Sequence, residues 1–258
     1  MTPQRKSQGE RRQMNELDFT GKNVLVVGGS SGIGNGIAQA FRAKGAHVFV
    51  WGTRASAADY RADEGCDLTG LHYSQVDVAD FDAVAAHQPP FGTLDVLIQS
   101  QGYVIYRRGE FRMDGFQKVM DINLNSLMAV NIKFHDMLAA SRGSLIMISS
   151  TAAFHSTKGN PAYNASKAGA VGLVRTLGEA WAPDGIRVNG IAPGLVDTKL
   201  TKVTTENPDR LAASLRGIPM GRLGLPSDMA GVALFLASPL AAYVCGQSIP
   251  VDGGLILH

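Results

Sequence analysis

The sequence predicts a single α/β domain built on a doubly wound parallel sheet of about seven strands, with helices on both faces. Short, continuously apolar, Val-rich runs recur along the chain, as expected of strands that are buried on both faces of a sheet. Segments with apolar residues at helical spacing lie between most of these runs. Strand–helix alternation of this kind favours a parallel sheet over the whole chain.

The regular pattern begins at residue 22. KNVLVVG is the first predicted strand, and GIGNGIAQAFRAKG is a helix with Ile33, Ile37 and Phe41 on one face and Gly45 at its end. HVFVWG repeats the buried-strand pattern. Further strands are predicted at 71–76, 94–99, 143–149, 186–192 and 247–251, and helices at 116–140, 161–181 and 227–237.

Composition excludes several classes of protein. The chain has 258 residues, 45% apolar and 18% charged, which is too apolar for a disordered protein. Its formal net charge of +2 gives no strong field toward nucleic acid or membranes, and no apolar run approaches the roughly 18 residues of a membrane span. Cys66 and Cys245 lack paired spacing, and the histidines form no metal motif. We therefore expect a cytoplasmic protein with neither a disulfide framework nor a bound metal.

The chain is expected to consist of a disordered N-terminal extension, 1–17, and one domain, 18–258. The extension carries positive charge and almost nothing to bury, and a basic arm that contacts acidic partners is the alternative interpretation. The least regular stretch of the domain is 195–225. It follows a strand's carboxyl end, so we expect either a mobile lid or an ordinary surface excursion with one helix.

A glycine-rich turn, GGSSGIG at 28–34, joins the first strand to the first helix. Glycines allow a tight turn and a close approach of phosphate to the backbone, and a helix N-terminus offers free N–H groups. The spacing of Gly28, Gly32 and Gly34 differs from GxGxxG, and a structural turn is the alternative. Its position between strand and helix favours a dinucleotide.

The end of the second strand, WGTRAS, bears on which dinucleotide is bound. Gly52 stands where an acidic residue commonly binds the ribose 2′-hydroxyl, and Arg54 follows two residues later. The missing carboxylate removes repulsion toward a 2′-phosphate, and an arginine can pair with that phosphate. The sequence therefore favours NADP(H) over NAD(H), with NAD(H) and a merely solvated Arg54 left open.

Three polar residues, Ser150, Tyr163 and Lys167, are candidates for one proton-handling site. Ser150 follows a predicted strand, and Tyr163 and Lys167 are four apart on one helix face. A nearby ammonium favours the phenolate of a tyrosine, and a serine hydroxyl can hydrogen-bond a substrate oxygen. YxxxK by itself also arises by chance on exposed helices.

The combined motifs resemble the short-chain dehydrogenase/reductase family, in its short single-domain form, over 18–254. The matching pieces, in order, are GGSSGIG, VDV at 76–78, DVLIQSQG at 95–102, DINL at 121–124, SS at 149–150, YNASK at 163–167, NGIAPGLVDT at 189–198 and VDGG at 251–254. The resemblance implies a Rossmann-type fold, an enzyme acting on CH–OH groups, and a homotetramer.

The resemblance also implies roles for individual residues. Tyr163 would be the general acid and base, Lys167 would lower its pKa and bind the nicotinamide ribose, and Ser150 would position the substrate oxygen. Asn123 would hold a water that relays protons to Lys167. Cofactor contacts are implied at Gly28, Ser30, Ser31, Gly32, Ile33, Gly34, Thr53, Arg54, Asp77, Val78, Gly102, Tyr163, Lys167, Pro193, Gly194, Val196 and Thr198. Without the resemblance, Asn123 and Asp77 suggest only a buried polar residue and a turn residue.

The sequence departs from the family pattern in three places. Val27 stands where the family usually has threonine, and Gln99-Ser100-Gln101-Gly102 stands where it has NNAG. The segment 80–92 is short for the family, which predicts a clipped helix between the third and fourth strands. Altered cofactor affinity is expected, rather than loss of activity, because the proton-transfer residues are intact.

These observations predict an NAD(P)-dependent oxidoreductase that interconverts an alcohol and a ketone or aldehyde. The substrate is expected to contact Ser150, Tyr163, Tyr103 and His155, and to be largely apolar. Further wall residues are expected to be Val104, Tyr106, Ala153, Leu195, Leu200, Leu215 and Met220. Two alternatives remain: a catalytically silent dinucleotide-binding sensor or scaffold of the same fold, and a nucleic-acid binder using the basic N-terminal arm.

Overall fold

The computed structural model describes residues 15–63 and 65–257 and contains one seven-stranded parallel sheet. The strand order is β3-β2-β1-β4-β5-β6-β7, so the chain reverses direction across the sheet between β1 and β4. The strands are β1 (Asn23–Val27), β2 (His47–Gly52), β3 (His72–Gln75), β4 (Val96–Gln99), β5 (Ser144–Ile148), β6 (Arg187–Pro193) and β7 (Ser248–Val251). The predicted Rossmann-type fold is confirmed.

Helices cover both faces of the sheet. They are α1 (Gly32–Ala43), α2 (Phe81–Ala86), α3 (Met113–Met120), α4 (Ser126–Ser141), α5 (Pro161–Trp181), α6 (Lys202–Thr205), α7 (Pro208–Arg216) and α8 (Pro226–Ala237). A π-helical turn at Asp121–Asn125 joins α3 to α4, so the helix predicted at 116–140 is two helices with an irregular junction. The clipped helix expected between the third and fourth strands is α2, which has six residues.

Alternate residues of the central strand point into two separate core layers. Val24 and Val26 pack with the layer that includes Ile37 and Phe41 of α1, whereas Leu25 and Val27 pack with the opposite layer. All four strand residues are fully buried, and burial of each such side chain stabilises the fold by about 1.5–3 kcal/mol. Burial on both faces explains why the strands are continuous apolar runs.

The N-terminal prediction falls mostly outside the described residues. Residues 1–14, which would form most of the extension or a basic arm, are not described. Residues 15–17 form a turn, and Leu17 packs against the core layer of α1. The segment 195–225 contains α6 and α7, rather than one helix. In the described part of the chain, no helix combines the length and the apolar character that crossing a membrane requires.

Candidate active site

A cleft of about 420 Å³ lies at the carboxyl ends of the strands, where the order reverses between β1 and β4. Ligands of open α/β sheets bind in this crevice, because neighbouring loops turn away from each other there. The cleft extends from the ends of β2 and β3, past the glycine-rich turn, to Ser150 and Tyr163. It therefore joins the two ends of the site that the sequence suggests.

Two glycines of the glycine-rich turn, Gly28 and Gly34, stand where a side chain would not fit. Gly28 has a φ of +74°, and a Cβ on Gly34 would lie 2.3 Å from the carbonyl oxygen of Gly28. The N-cap of α1, Ser31, makes no side-chain capping bond, and Thr198 closes in on the turn beside Gly32. The result is a narrow backbone cradle at a helix N-terminus, which is the geometry that holds phosphate groups.

Thr53, Asp77 and Val78, which are predicted to contact the adenosine, line the end of the cleft beside β2 and β3. Arg54 does not belong to the described cleft lining: its guanidinium lies over the ring of Tyr60 and pairs with Asp63 at 2.5 Å. Lys199 pairs with the same carboxylate from the other side of the cleft mouth. Arg54 is therefore next to the predicted 2′-phosphate position, where it and Lys199 share one carboxylate, so positive charge remains there.

Ser150, Tyr163 and Lys167 all line the same end of the cleft. Ser150 follows β5 and caps the short helical turn behind it by accepting the Ala152 N–H at 3.1 Å. Pro161 begins α5, so Tyr163 lies in its first turn and Lys167 one turn later on the same face. The Lys167 Nζ atom is 5.7 Å from the centre of the Tyr163 ring and donates to the Ile148 carbonyl at 3.0 Å.

Burial dominates the electrostatics of Tyr163 and Lys167. Burial raises the pKa of Tyr163, a hydrogen bond with Ser150 opposes this change, and Tyr106 and Glu110 raise the pKa further. Burial also lowers the pKa of Lys167 to about 8. Lys167 is not among the groups that shift the pKa of Tyr163 here, so the predicted lowering of that pKa by Lys167 stays a prediction. A protonated phenol is the form that can donate a proton to a carbonyl oxygen.

Asn123 is fully buried in the π-helical turn. Its side chain accepts the Tyr103 N–H at 2.7 Å and donates to the Tyr103 carbonyl at 2.9 Å and to the Ser166 hydroxyl at 3.2 Å. These bonds fix the loop after β4 to the middle of the helix layer. The side-chain atoms of Asn123 are thus engaged by protein groups, so the expected water relay would have to use other atoms of this turn.

The structure brings most of the predicted site residues together. Among the described residues that line the cleft, the predicted Arg54, Asn123 and His155 are missing. His155 is exposed and its ring contacts the Ser156 carbonyl. The cleft is also lined by residues that the sequence interpretation gave no role, namely Ile122, Ile148, Ser149, Lys199 and Thr201. Their places at strand ends or beside predicted contacts are the signal that could have identified them.

The predicted substrate wall is only partly assembled. Tyr103 and Leu200 line the cleft, and the Tyr106 hydroxyl donates to the Leu200 carbonyl at 2.6 Å. Leu195 and Met220 line a separate cavity of about 210 Å³. The segment after β6 is therefore tied to both walls of the cleft, through Leu200 on the substrate side and through Lys199 on the adenosine side.

The unusual Gln99-Ser100-Gln101 segment forms a buried hydrogen-bond chain. Gln99 donates to the Leu127 carbonyl at 3.2 Å and to Asn131, and Gln101 donates to Gln99 and to the Ser126 hydroxyl, both at 3.0 Å. These bonds connect β4 to α4. The departure from NNAG raised the question of whether the central sheet is held in place at this point, and these bonds hold it. The catalytically silent alternative therefore gains no support.

The residues present fit a nicotinamide dinucleotide. A Cβ at Gly28 would lie 2.8 Å from the Gln101 backbone nitrogen, so only glycine lets the turn approach the loop after β4 this closely. The resulting backbone cradle at the N-terminus of α1 would hold a pyrophosphate. Thr53, Asp77 and Val78 would hold the adenosine half, and Lys167, Pro193 and Gly194 would surround the nicotinamide half. The nicotinamide ring would then lie beside Ser150 and Tyr163.

Comparison with known proteins agrees with this geometry. A family model described as enoyl-(acyl carrier protein) reductase matches residues 27–256. A 3-oxoacyl-(acyl-carrier-protein) reductase from Chlamydia muridarum is 37% identical over 253 residues, covering 94% of this chain and all of that protein. A 2-dehydro-3-deoxy-D-gluconate 5-dehydrogenase from Pseudoalteromonas atlantica is 37% identical over 252 residues, covering 93% and 98%.

The fold is also found in solved structures. A gluconate 5-dehydrogenase from Burkholderia cenocepacia, crystallised in complex with NADP and tartrate, superposes with a TM-score of 0.85 at 26% identity. The match covers 94% of this chain and 98% of that one. These relatives are similar over nearly the whole described domain, the catalytic end included.

Proposed function

This chain belongs to the short-chain dehydrogenase/reductase family, and on that premise we propose that it interconverts an alcohol and a ketone or aldehyde with Tyr163 as the general acid and base. As a member of this family it is an NAD(P)-dependent oxidoreductase. The observation that carries the proposal is the convergence of Ser150, Tyr163 and Lys167 on one end of a cleft whose other end is a phosphate cradle.

Each of the three residues has a distinct task in this chemistry. A bound nicotinamide supplies the hydride to the substrate carbon, or accepts it. The Ser150 hydroxyl hydrogen-bonds the substrate oxygen and holds it beside the phenol. The Tyr163 hydroxyl donates its proton to that oxygen during reduction and recovers it during oxidation. Lys167 lies deep in the wall beneath, where its Nζ can bond a ribose hydroxyl and adjust the charge near Tyr163.

We propose NADP(H) as the favoured cofactor. Three observations support it: Gly52 at the end of β2 carries no carboxylate, Arg54 lies close by, and a structural relative was crystallised with NADP. Arg54 would have to turn away from Asp63 to pair bidentately with a 2′-phosphate, because its guanidinium already bonds that carboxylate. NAD(H) remains the second candidate, because Arg54 is already bonded to Asp63.

We propose a small, largely apolar carbonyl compound as the substrate. Tyr103, Ile122 and Leu200 line the same cleft as Ser150, and none of them carries charge. The named relatives act on acyl-carrier thioesters and on sugar acids, so a β-ketoacyl thioester and a keto-sugar acid are the competitors to test beside simple ketones.

A homotetramer is the assembly we propose. Large apolar side chains stand exposed on α4 and on the segment between α8 and β7, Ile132 at 64% and Tyr243 at 104%. Burial between subunits would remove these side chains from water, and the tetramer itself is carried over from the family resemblance. Light scattering on the purified protein would give the mass of the assembly.

The function is tested by following NADPH and NADH oxidation against a panel of carbonyl compounds. The panel would contain aromatic and aliphatic ketones, a β-ketoacyl thioester and a keto-sugar acid. We expect turnover of at least one apolar ketone, faster with NADPH than with NADH. Binding of the cofactor without turnover of any compound in the panel would contradict the proposed activity.

A further inference from the structure

Glu110 is a carboxylate buried in the wall of the active site, at 1% exposure. It lies in a short 3₁₀ turn, Gly109–Phe111, that follows the loop after β4. A carboxylate is almost never fully buried unless its oxygens are satisfied, because the lost hydration is costly. Both oxygens of Glu110 are satisfied by N–H groups of the protein.

The three bonds connect the loop after β4 to the start of α5. One oxygen accepts the Ile105 N–H at 3.0 Å and the Asn160 side-chain N–H at 3.1 Å. The other oxygen accepts the Tyr163 backbone N–H at 3.0 Å. Asn160, the N-cap residue of α5, makes no side-chain cap, so Glu110 satisfies an N–H of the first turn from outside the helix.

The loop that Glu110 closes is strained. Arg107 and Arg108 have φ of +56° and +62°, a left-handed conformation that costs a non-glycine residue about 1–2 kcal/mol. Backbone of this kind persists only where the surrounding structure determines it strongly. The bond from the Ile105 N–H to Glu110 spans both strained residues and thereby holds the loop closed.

The same loop carries part of the cleft wall and two groups that raise the pKa of Tyr163. Tyr103 lines the cleft, and Tyr106 reaches across it to the Leu200 carbonyl. The Tyr163 phenol hydrogen-bonds Ser150, its ring centre is 5.7 Å from the Lys167 Nζ atom, and Tyr106 and Glu110 of the strained loop raise its pKa. A shift of the loop relative to α5 would therefore move the substrate wall and change the charge around Tyr163 together.

We propose that Glu110 is a positioning residue of the reaction, whose buried carboxylate fixes the strained substrate-side loop to the first turn of α5 and so holds the Tyr163 hydroxyl against the substrate. The proposal rests on the proposed function, since it assigns Tyr163 the proton transfer. Glu110 is the one buried acidic side chain among the described residues. The proposed proton transfer by Ser150, Tyr163 and Lys167 gives it no role, and this proposal does.

Glu110→Gln tests the proposal, because glutamine keeps the size and one carbonyl oxygen but removes the charge and turns one acceptor into a donor. We expect kcat to fall by about tenfold or more, since small misplacements of reacting groups are costly. We also expect the alkaline limb of the pH profile for carbonyl reduction to move to lower pH, because a negative charge that raises the pKa of the phenol is gone. Cofactor affinity should stay unchanged.

The matched control is Glu179→Gln, which removes the same charge from an exposed position on α5 and should change neither quantity. The proposal requires both effects in Glu110→Gln. An unchanged kcat would overturn it, and so would a fall in kcat with an unmoved limb, because a merely structural defect would give that result.

Failure of this proposal can be separated from failure of the proposed function. Protein labelled on the ζ carbon of tyrosine reports the ionisation of Tyr163 by NMR without any turnover, with the signal assigned through Tyr163→Phe. Hydrogen exchange at the Ile105 and Tyr163 amides reports whether their hydrogen bonds to Glu110 are intact. Faster exchange of both amides and a lower titration midpoint in Glu110→Gln would support the proposal even in a protein that reduced no carbonyl compound; wild-type behaviour of both would overturn it.

Discussion

Replacing Lys167 with methionine should relieve a destabilising charge while it removes a residue of the active site. Lys167 is 4% exposed, and its Nζ has the Ile148 carbonyl as its hydrogen-bond acceptor. Burial lowers its pKa from 10.5 to about 8. Between these two values the unfolded chain binds more protons than the folded one, so the free energy of unfolding rises with pH across this window.

The size of the effect follows from the same numbers. Each pKa unit corresponds to about 1.4 kcal/mol, so the buried ammonium lowers the free energy of unfolding by about 3 kcal/mol below pH 8. This penalty disappears as the pH approaches 10.5. Methionine has a similar length and no charge. Loss of the bond to Ile148 costs about 1–3 kcal/mol, but it does not depend on pH and cancels when two pH values are compared.

Urea unfolding of the wild-type protein and of Lys167→Met at about pH 7 and pH 10 would measure this difference. The free energy of unfolding of the variant minus that of the wild type should fall by about 2–3 kcal/mol from pH 7 to pH 10, because the wild type loses its penalty over this range. The turnover of the variant should be abolished. Groups that titrate in both proteins drop out of the comparison. A difference between the two proteins that does not change with pH would refute the view that Lys167 is buried as a strained cation.

Three further predictions concern other parts of the molecule. Asp63→Asn should release Arg54 and tighten NADPH binding several-fold with little change for NADH, whereas Arg54→Ala should weaken NADPH binding alone. Fluorescence titration measures both affinities, with Arg61→Ala as the exposed control. Equal effects of a substitution on the two cofactors would contradict the role of Arg54 at the 2′-phosphate. Gly34→Ala should abolish dinucleotide binding, because its Cβ would lie 2.3 Å from a backbone oxygen of the cradle, whereas Gly172→Ala, with open space at its Cβ, should leave the affinity unchanged in the same titration. The pKa of His135 is raised above 6.5 by its bond to Asp136 and then by Asp184, so the stabilisation of the fold by these pairs is present in full below pH 6.5 and is lost as the pH rises through the folded pKa. His135→Gln should remove this pH dependence of thermal unfolding, which amounts to less than about 1 kcal/mol because the pairs lie near the surface. An unchanged pH dependence in the variant would contradict the assignment to His135.

The fold and most of the cleft were predictable because they depend on local patterns. Buried parallel strands are continuous apolar runs, and their carboxyl ends meet at one edge of the sheet, so the position of Ser150 next to a strand end already placed it beside the glycine turn. Pro161 set the start of α5, and the spacing of Tyr163 and Lys167 then put them on one face.

The remainder depends on contacts between residues far apart in the chain. Arg54 pairs with Asp63 and shares it with Lys199, which is 136 residues away, and no pattern near Arg54 indicates that partner. The pKa of Tyr163 is raised by burial, by Tyr106 and by Glu110, which is 53 residues before it and accepts its backbone N–H. Polar networks between loops are chosen by tertiary packing, which spacing in the sequence does not report.

The most direct test of the central claim is turnover by Tyr163→Phe. The change removes one oxygen atom and leaves the ring in the cleft wall, so the fold and NADPH binding should be retained. We predict a fall in kcat of at least about 100-fold, the range that general acid–base groups contribute. Turnover close to that of the wild type, in a variant that binds NADPH normally, would contradict the assignment of Tyr163 as the proton donor.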